Sequence, residues 1–70
     1  MSDDASALLS ALSSCRSAMR QVESVGNALF PDAAVLDLQR EIRWTSRKLA
    51  RVAERYGATS QAIEKIELMG

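Results

Sequence analysis

Seventy residues allow one small domain, 1–70, and a chain this short buries only about 60% of the surface its unfolded form exposes. A hydrophobic fraction of 47% predicts folding rather than disorder, although much of it is alanine and Phe30, Trp44 and Tyr56 are the only aromatics. Nine cations against nine acids leave no net charge, so the total balance argues for neither nucleic acid nor an anionic surface.

The chain opens Met1-Ser2-Asp3-Asp4, acidic where a signal or transit peptide is basic. Ser2 is a candidate N-cap, and the two aspartates suit the positive end of a helix dipole. Ala5, Leu8, Leu12, Cys15, Met19, Val22, Gly26 and Leu29 then recur at alternating spacings of three and four, a heptad stripe. Ser10, Ser13, Ser14, Ser17, Arg20 and Ser24 fall off it. Gly26-Asn27 reads as a stop, which predicts a first helix over 3–26.

Pro31 pre-sets a first helical turn, and Asp32 favours the dipole at its start. Val35, Leu38, Ile42, Thr45, Leu49, Val52 and Tyr56 repeat the alternation, and Gly57 is a natural C′ residue. A second helix is therefore predicted over 31–56. Matched lengths and the short connection from Asn27 to Pro31 imply an antiparallel helical hairpin, with Leu29 and Phe30 capping its closed end. The predicted seam sets Leu8, Leu12, Cys15, Met19 and Val22 against Val35, Leu38, Ile42, Leu49, Val52 and Tyr56. Ala58-Thr59-Ser60 can cap a short C-terminal helix over 60–69, whose apolar face is Ala62, Ile63, Ile66 and Met69. The fold class is all-α.

Two facing helices cover one seam, yet Leu9, Ala11, Ala18 and Val25 on the first and Ala34, Leu36 and Ala53 on the second widen the apolar belt. So wide a belt is unusual on a monomer. A core this small normally needs a disulfide, a metal or a partner. One cysteine excludes an internal disulfide, and without histidine a structural zinc site lacks its usual ligands. The expectation is a partner, with no cofactor and no metal. The longest apolar run, Ala33 to Leu36, is far short of the roughly 20 residues that span a bilayer, which predicts a soluble chain kept in the cytoplasm.

Candidates for catalysis are nearly absent: no histidine base, no glycine-rich phosphate loop, no G-x-S-x-G elbow. Asp37, Glu41, Glu54, Glu64 and Glu67 fall where solvated helix faces carry acids, so the chain does not read as an enzyme. Cys15 lies on the stripe as a small hydrophobe rather than a nucleophile. Trp44 stands opposite the seam, with Leu36 and Arg40 on its side of the helix, as a partner anchor would. Arg40, Arg43, Arg47, Lys48, Arg51 and Arg55 form a basic run able to meet an acidic protein surface or track phosphates. Candidate partner contacts are thus Leu36, Arg40, Trp44, Arg47 and Arg51 on helix two, with Leu9 and Val25 on helix one.

The stretch Leu8-Leu9-Ser10-Ala11-Leu12-Ser13-Ser14-Cys15-Arg16, a short break, a proline-led helix at Pro31 and Leu38-Gln39 resemble the small E-type co-chaperones of type III secretion needle subunits. The likeness covers residues 8–50. It implies a helical hairpin that docks on a larger tetratricopeptide-like chaperone and, through it, helps hold a needle subunit in the bacterial cytoplasm before export. It also leaves room for a homo-oligomer when the chain is alone. Two other readings stay open: a homodimeric four-helix bundle binding RNA or DNA through the arginine stripe, and a structural assembly subunit or small inhibitor.

Overall fold

The computed structural model of the chain describes residues 2–28 and 32–69. Among these, all regular structure is α-helical: α1 over Asp3–Ala28, α2 over Ala33–Arg55 and α3 over Ser60–Met69. Leu29, Phe30 and Pro31, expected at the closed end, lie outside the described residues.

Each helix end has a chemical cause. The Ser2 hydroxyl accepts the Ala5 N–H at 3.1 Å and donates to the Tyr56 carbonyl at 3.0 Å. One side chain thus caps α1 and clasps it to the end of α2. The predicted stop at Gly26 does not occur, since α1 continues to Ala28. Gly26 instead marks a close approach: a Cβ there would lie 2.8 Å from Gln39 Nε2 and 3.3 Å from Val35 Cγ1. The start of α2 also differs from the expected residue 31. Asp32 is extended and its carboxylate accepts the Ala34 N–H at 2.8 Å, which makes it the N-cap and Ala33 the first helical residue.

Gly57, at φ +105°, ends α2 one residue before the predicted Tyr56. The Gly57 N–H reaches the Glu54 carbonyl at 3.1 Å and the Ala58 N–H reaches that of Ala53 at 2.9 Å, the two bonds of a Schellman motif. Thr59 then opens α3, its hydroxyl accepting the Ala62 N–H at 3.1 Å.

Contacts between α1 and α2 run in opposite directions along the two chains. Ser2 meets Tyr56, the Cys15 thiol donates to the Ile42 carbonyl at 3.6 Å, and Gly26 abuts Val35. This antiparallel hairpin gives the molecule its 43 Å long axis. After Gly57 the chain reverses, and α3 runs back beside α1 as far as Arg16, whose guanidinium donates to the Glu67 carbonyl at 2.9 Å. A cation there suits the negative end of the α3 dipole.

The core gathers where all three helices meet. Ala5, Leu12, Ala53, Ala58 and Ile63 are buried, with Leu8, Leu9, Leu49, Ala50 and Ile66 packed around them. Met19 and Ser46 are buried further along the hairpin. Of the predicted seam, Leu12 and Met19 are buried, and Leu8, Cys15, Val22, Val35, Ile42, Leu49 and Val52 are half-buried. Leu38 and Tyr56 depart from that expectation, being 44% and 53% exposed, and Thr45 is also exposed. The inward line of α2 is shifted to Gln39, Ser46 and Ala53, one position on from Leu38, Thr45 and Val52. Packing on α3 explains the shift. Ala50 and Ala53 must face the groove that Ile63 and Ile66 fill, and that rotation turns Leu38 and Tyr56 outward.

Candidate docking surfaces

The outer ridge of α2 is the first candidate. At 100° per residue, Trp44 falls diametrically opposite the line of Ser46 and Ala53, and it is 51% exposed. Leu36, about a quarter turn round the helix from Trp44, is 52% exposed. Leu36 and Arg40 line a shallow depression with Ala33, Ala34 and Asp37 at the start of the helix. Lys48 Nζ stands 5.3 Å from the centre of the indole ring, a cation–π contact that holds the ring along the helix. Arg40, Arg47 and Arg51 are exposed. Among the described residues the ion pair present is Arg43 with Glu23, at 3.4 Å and largely in solvent. Such a pair contributes at most about 1 kcal/mol. The remaining cations of the ridge are available to a partner.

A second surface lies on the side of the hairpin that α3 leaves open. Toward the open end Leu8, Val52 and Tyr56 border a groove with Asp4 and Ala7. Toward the closed end Ala18, Val22 and Val25 border its continuation with Val35 and Leu38. Val25 is 51% exposed there. Leu9, expected with Val25 at one partner contact, is on the other side of α1 and packs against the core. The sequence reading thus joins two residues that the fold separates. It also leaves unremarked that Leu8, Ala11, Cys15, Ala18, Val22 and Val25 form a 3-4 stripe of their own. That signal is in the spacing, but Leu8, Cys15 and Val22 belong equally to the seam.

A third, smaller depression sits under the end of α3, lined by Arg16, Met19, Arg43, Ser46, Arg47 and Glu67. Of its guanidiniums, Arg16 donates to the Glu67 main-chain carbonyl and Arg43 pairs with Glu23. Among the described residues no three metal-ligating side chains converge, and no helix is long and apolar enough to cross a membrane. Comparisons with models of protein families, with characterised proteins and with solved structures find no match to this chain.

Proposed function

We propose that the chain is a co-chaperone of a type III secretion system, docking on a larger tetratricopeptide-like chaperone in the bacterial cytoplasm. The pair holds the needle subunit until export. The observation that supports the reading is the exposure of Trp44 and Leu36 on a helix where Arg40, Arg47 and Arg51 are exposed and make no ion pair among the described residues. Tryptophan and arginine are the residue types that dominate binding hot spots, and leaving them in water serves no folding purpose. In this reading Trp44 and Leu36 enter an apolar groove of the larger chaperone, and Arg40, Arg47 and Arg51 meet acids at its rim.

Affinity capture from native cells, with the bound proteins identified by mass spectrometry, tests the proposal. A larger helical chaperone and a needle subunit should come down with wild-type protein and be lost with Trp44→Ala. Recovery of neither would overturn it. A second reading, RNA or DNA binding, is favoured by one feature. Arg47, Arg51 and Arg55 repeat every four residues, about 6 Å along the helix, and could track phosphates. Salt dependence separates the two.

A further inference from the structure

Where α3 ends, the groove that its isoleucines fill between α1 and α2 turns from apolar to cationic. Arg16 and Met19 of α1, Arg43, Ser46 and Arg47 of α2, and Glu67 of α3 line the depression there. Met19 and Ser46 are each 6% exposed, so the floor of this depression is one thioether and one hydroxyl. The neighbouring Thr45 commits its hydroxyl to the Glu41 carbonyl at 2.9 Å, and the Ser46 hydroxyl makes no such bond among the described residues. Helix two thus keeps a donor at a buried position in the midst of arginines.

The positive charge of the depression is poorly answered within the chain. Three guanidiniums line it against one carboxylate. Arg16 is half-buried, and the acceptor it reaches at 2.9 Å is a neutral one, the Glu67 carbonyl. Its Nε–H is buried with no acceptor among the described residues. Arg47 makes no ion pair among them, and the pair of Arg43 with Glu23 is long, at 3.4 Å, and largely in solvent. A charged donor taken out of water without an acceptor is costly, and an oxyanion is the group that removes the cost.

We infer that this depression binds a phosphate group, carried as the free ion or as a small phosphomonoester. Guanidiniums take phosphate oxygens in bidentate pairs. A phosphomonoester carries close to two negative charges at pH 7, which matches the excess of two cations among the lining residues; a carboxylate would leave one unanswered. Size agrees. The depression holds about 240 Å³, below the roughly 300–1,000 Å³ that encloses a drug-sized ligand, so it suits a group of a few atoms. Arg16, Arg43 and Arg47 hold the oxygens, the Ser46 hydroxyl donates to one of them, and the Glu67 carboxylate turns to solvent. Arg16, Ser46 and Glu67 take no part in the ridge around Trp44, so the site stands independently of the function proposed above.

The test is titration of the isotope-labelled full chain with inorganic phosphate, against chloride at equal ionic strength, read by nuclear magnetic resonance at the arginine Nε–H groups. The Arg16 and Arg43 signals should shift saturably, with a Kd of about 1 mM or below. Arg16→Gln and Ser46→Ala should each weaken binding by about 10-fold or more, since each removes a hydrogen bond to a charged group. Glu67→Gln should tighten it by about 3-fold, because a like charge leaves the rim. Arg55→Gln should bind as wild type does, its side chain lying half a turn round α2 from Ser46 and nine residues on. O-phosphoserine separates the two sources: tighter binding than inorganic phosphate assigns a phosphomonoester, and equal or weaker binding assigns the free ion. No saturable shift by about 20 mM phosphate would overturn the inference without touching the co-chaperone reading. So would acetate binding as tightly as phosphate, or phosphate binding that Arg16→Gln and Ser46→Ala leave unchanged. Ser46→Ala keeps all three arginines and the bond from Arg16 to α3, so it decides even if Arg16→Gln loosens that helix.

Discussion

Among the described residues Leu12 is the one large side chain that is fully buried, so of these it carries the most of the core. Truncation to alanine removes its transfer energy and leaves a cavity between α1, α2 and α3, at a cost of about 3 kcal/mol. A domain of this size holds only some 3–5 kcal/mol in all. Leu12→Ala should therefore be largely unfolded at 37 °C by circular dichroism, and a cooperative melt near that of wild type would show that the core lies elsewhere. Gly57 makes the opposite kind of contribution. A Cβ placed on Gly57 would meet nothing within 4 Å, so space would admit a side chain, but φ is +105°. Gly57→Ala should cost about 1 kcal/mol through backbone strain alone, lowering Tm by roughly 4–8 °C. Gly57→Asn should recover part of that loss, since asparagine tolerates positive φ better than alanine.

At the scale of elements, the three helices were legible because period and punctuation agree. Apolar residues recur every three or four positions, and Ser2, Asp32, Thr59 and Gly57 act as caps in the structure. What the spacing left open is which side of the α2 stripe turns inward. A 3-4 alternation is nearly symmetric about its own axis, and the residues that end up buried, Ser46 and Ala53, carry almost no hydrophobic signal. The choice is made by α3, whose Ile63 and Ile66 need small neighbours on α1 and α2. Gly26 was misread for a related reason: a glycine that ends a helix and one that admits a neighbouring helix look alike in sequence. Docking of α3 is testable by Ile63→Asp, which puts an unpaired charge where the side chain is 9% exposed. A ten-residue helix does not persist alone in water. The variant should lose the α3 share of the helical signal and melt at lower temperature than wild type. Unchanged ellipticity and melting would mean that α3 is held by something other than its apolar face.

For the whole molecule the relevant quantity is where charge sits, because the total is zero. Six of the nine cations fall between Arg40 and Arg55, against Glu41 and Glu54, while Asp3, Asp4, Glu64 and Glu67 are carried by α1 and α3. The ridge is locally basic although the chain is neutral, and it carries an exposed tryptophan. Two kinds of partner fit that combination, and they respond differently to the same perturbations. If phosphates were the target, three arginine contacts would give an affinity falling about 20-fold when salt rises fourfold. Reversal of Arg47 and Arg51 to glutamate would then abolish binding. If an apolar protein groove is the target, most of the energy sits in the desolvated anchors, and rim charges at a Debye length of about 8 Å add little at physiological salt. Trp44→Ala and Leu36→Ala should each weaken capture of the larger chaperone by 10-fold or more, about 1.4 kcal/mol or above. Both residues are at the surface, so neither change should alter the unfolding free energy beyond the about ±0.5 kcal/mol typical of exposed sites. The arginine double reversal should slow association and leave a complex that still forms, with a fourfold change in salt altering its affinity by less than about 3-fold. A tight complex between wild-type protein and single-stranded RNA, lost on arginine reversal and untouched by Leu36→Ala, would assign the ridge to nucleic acid instead.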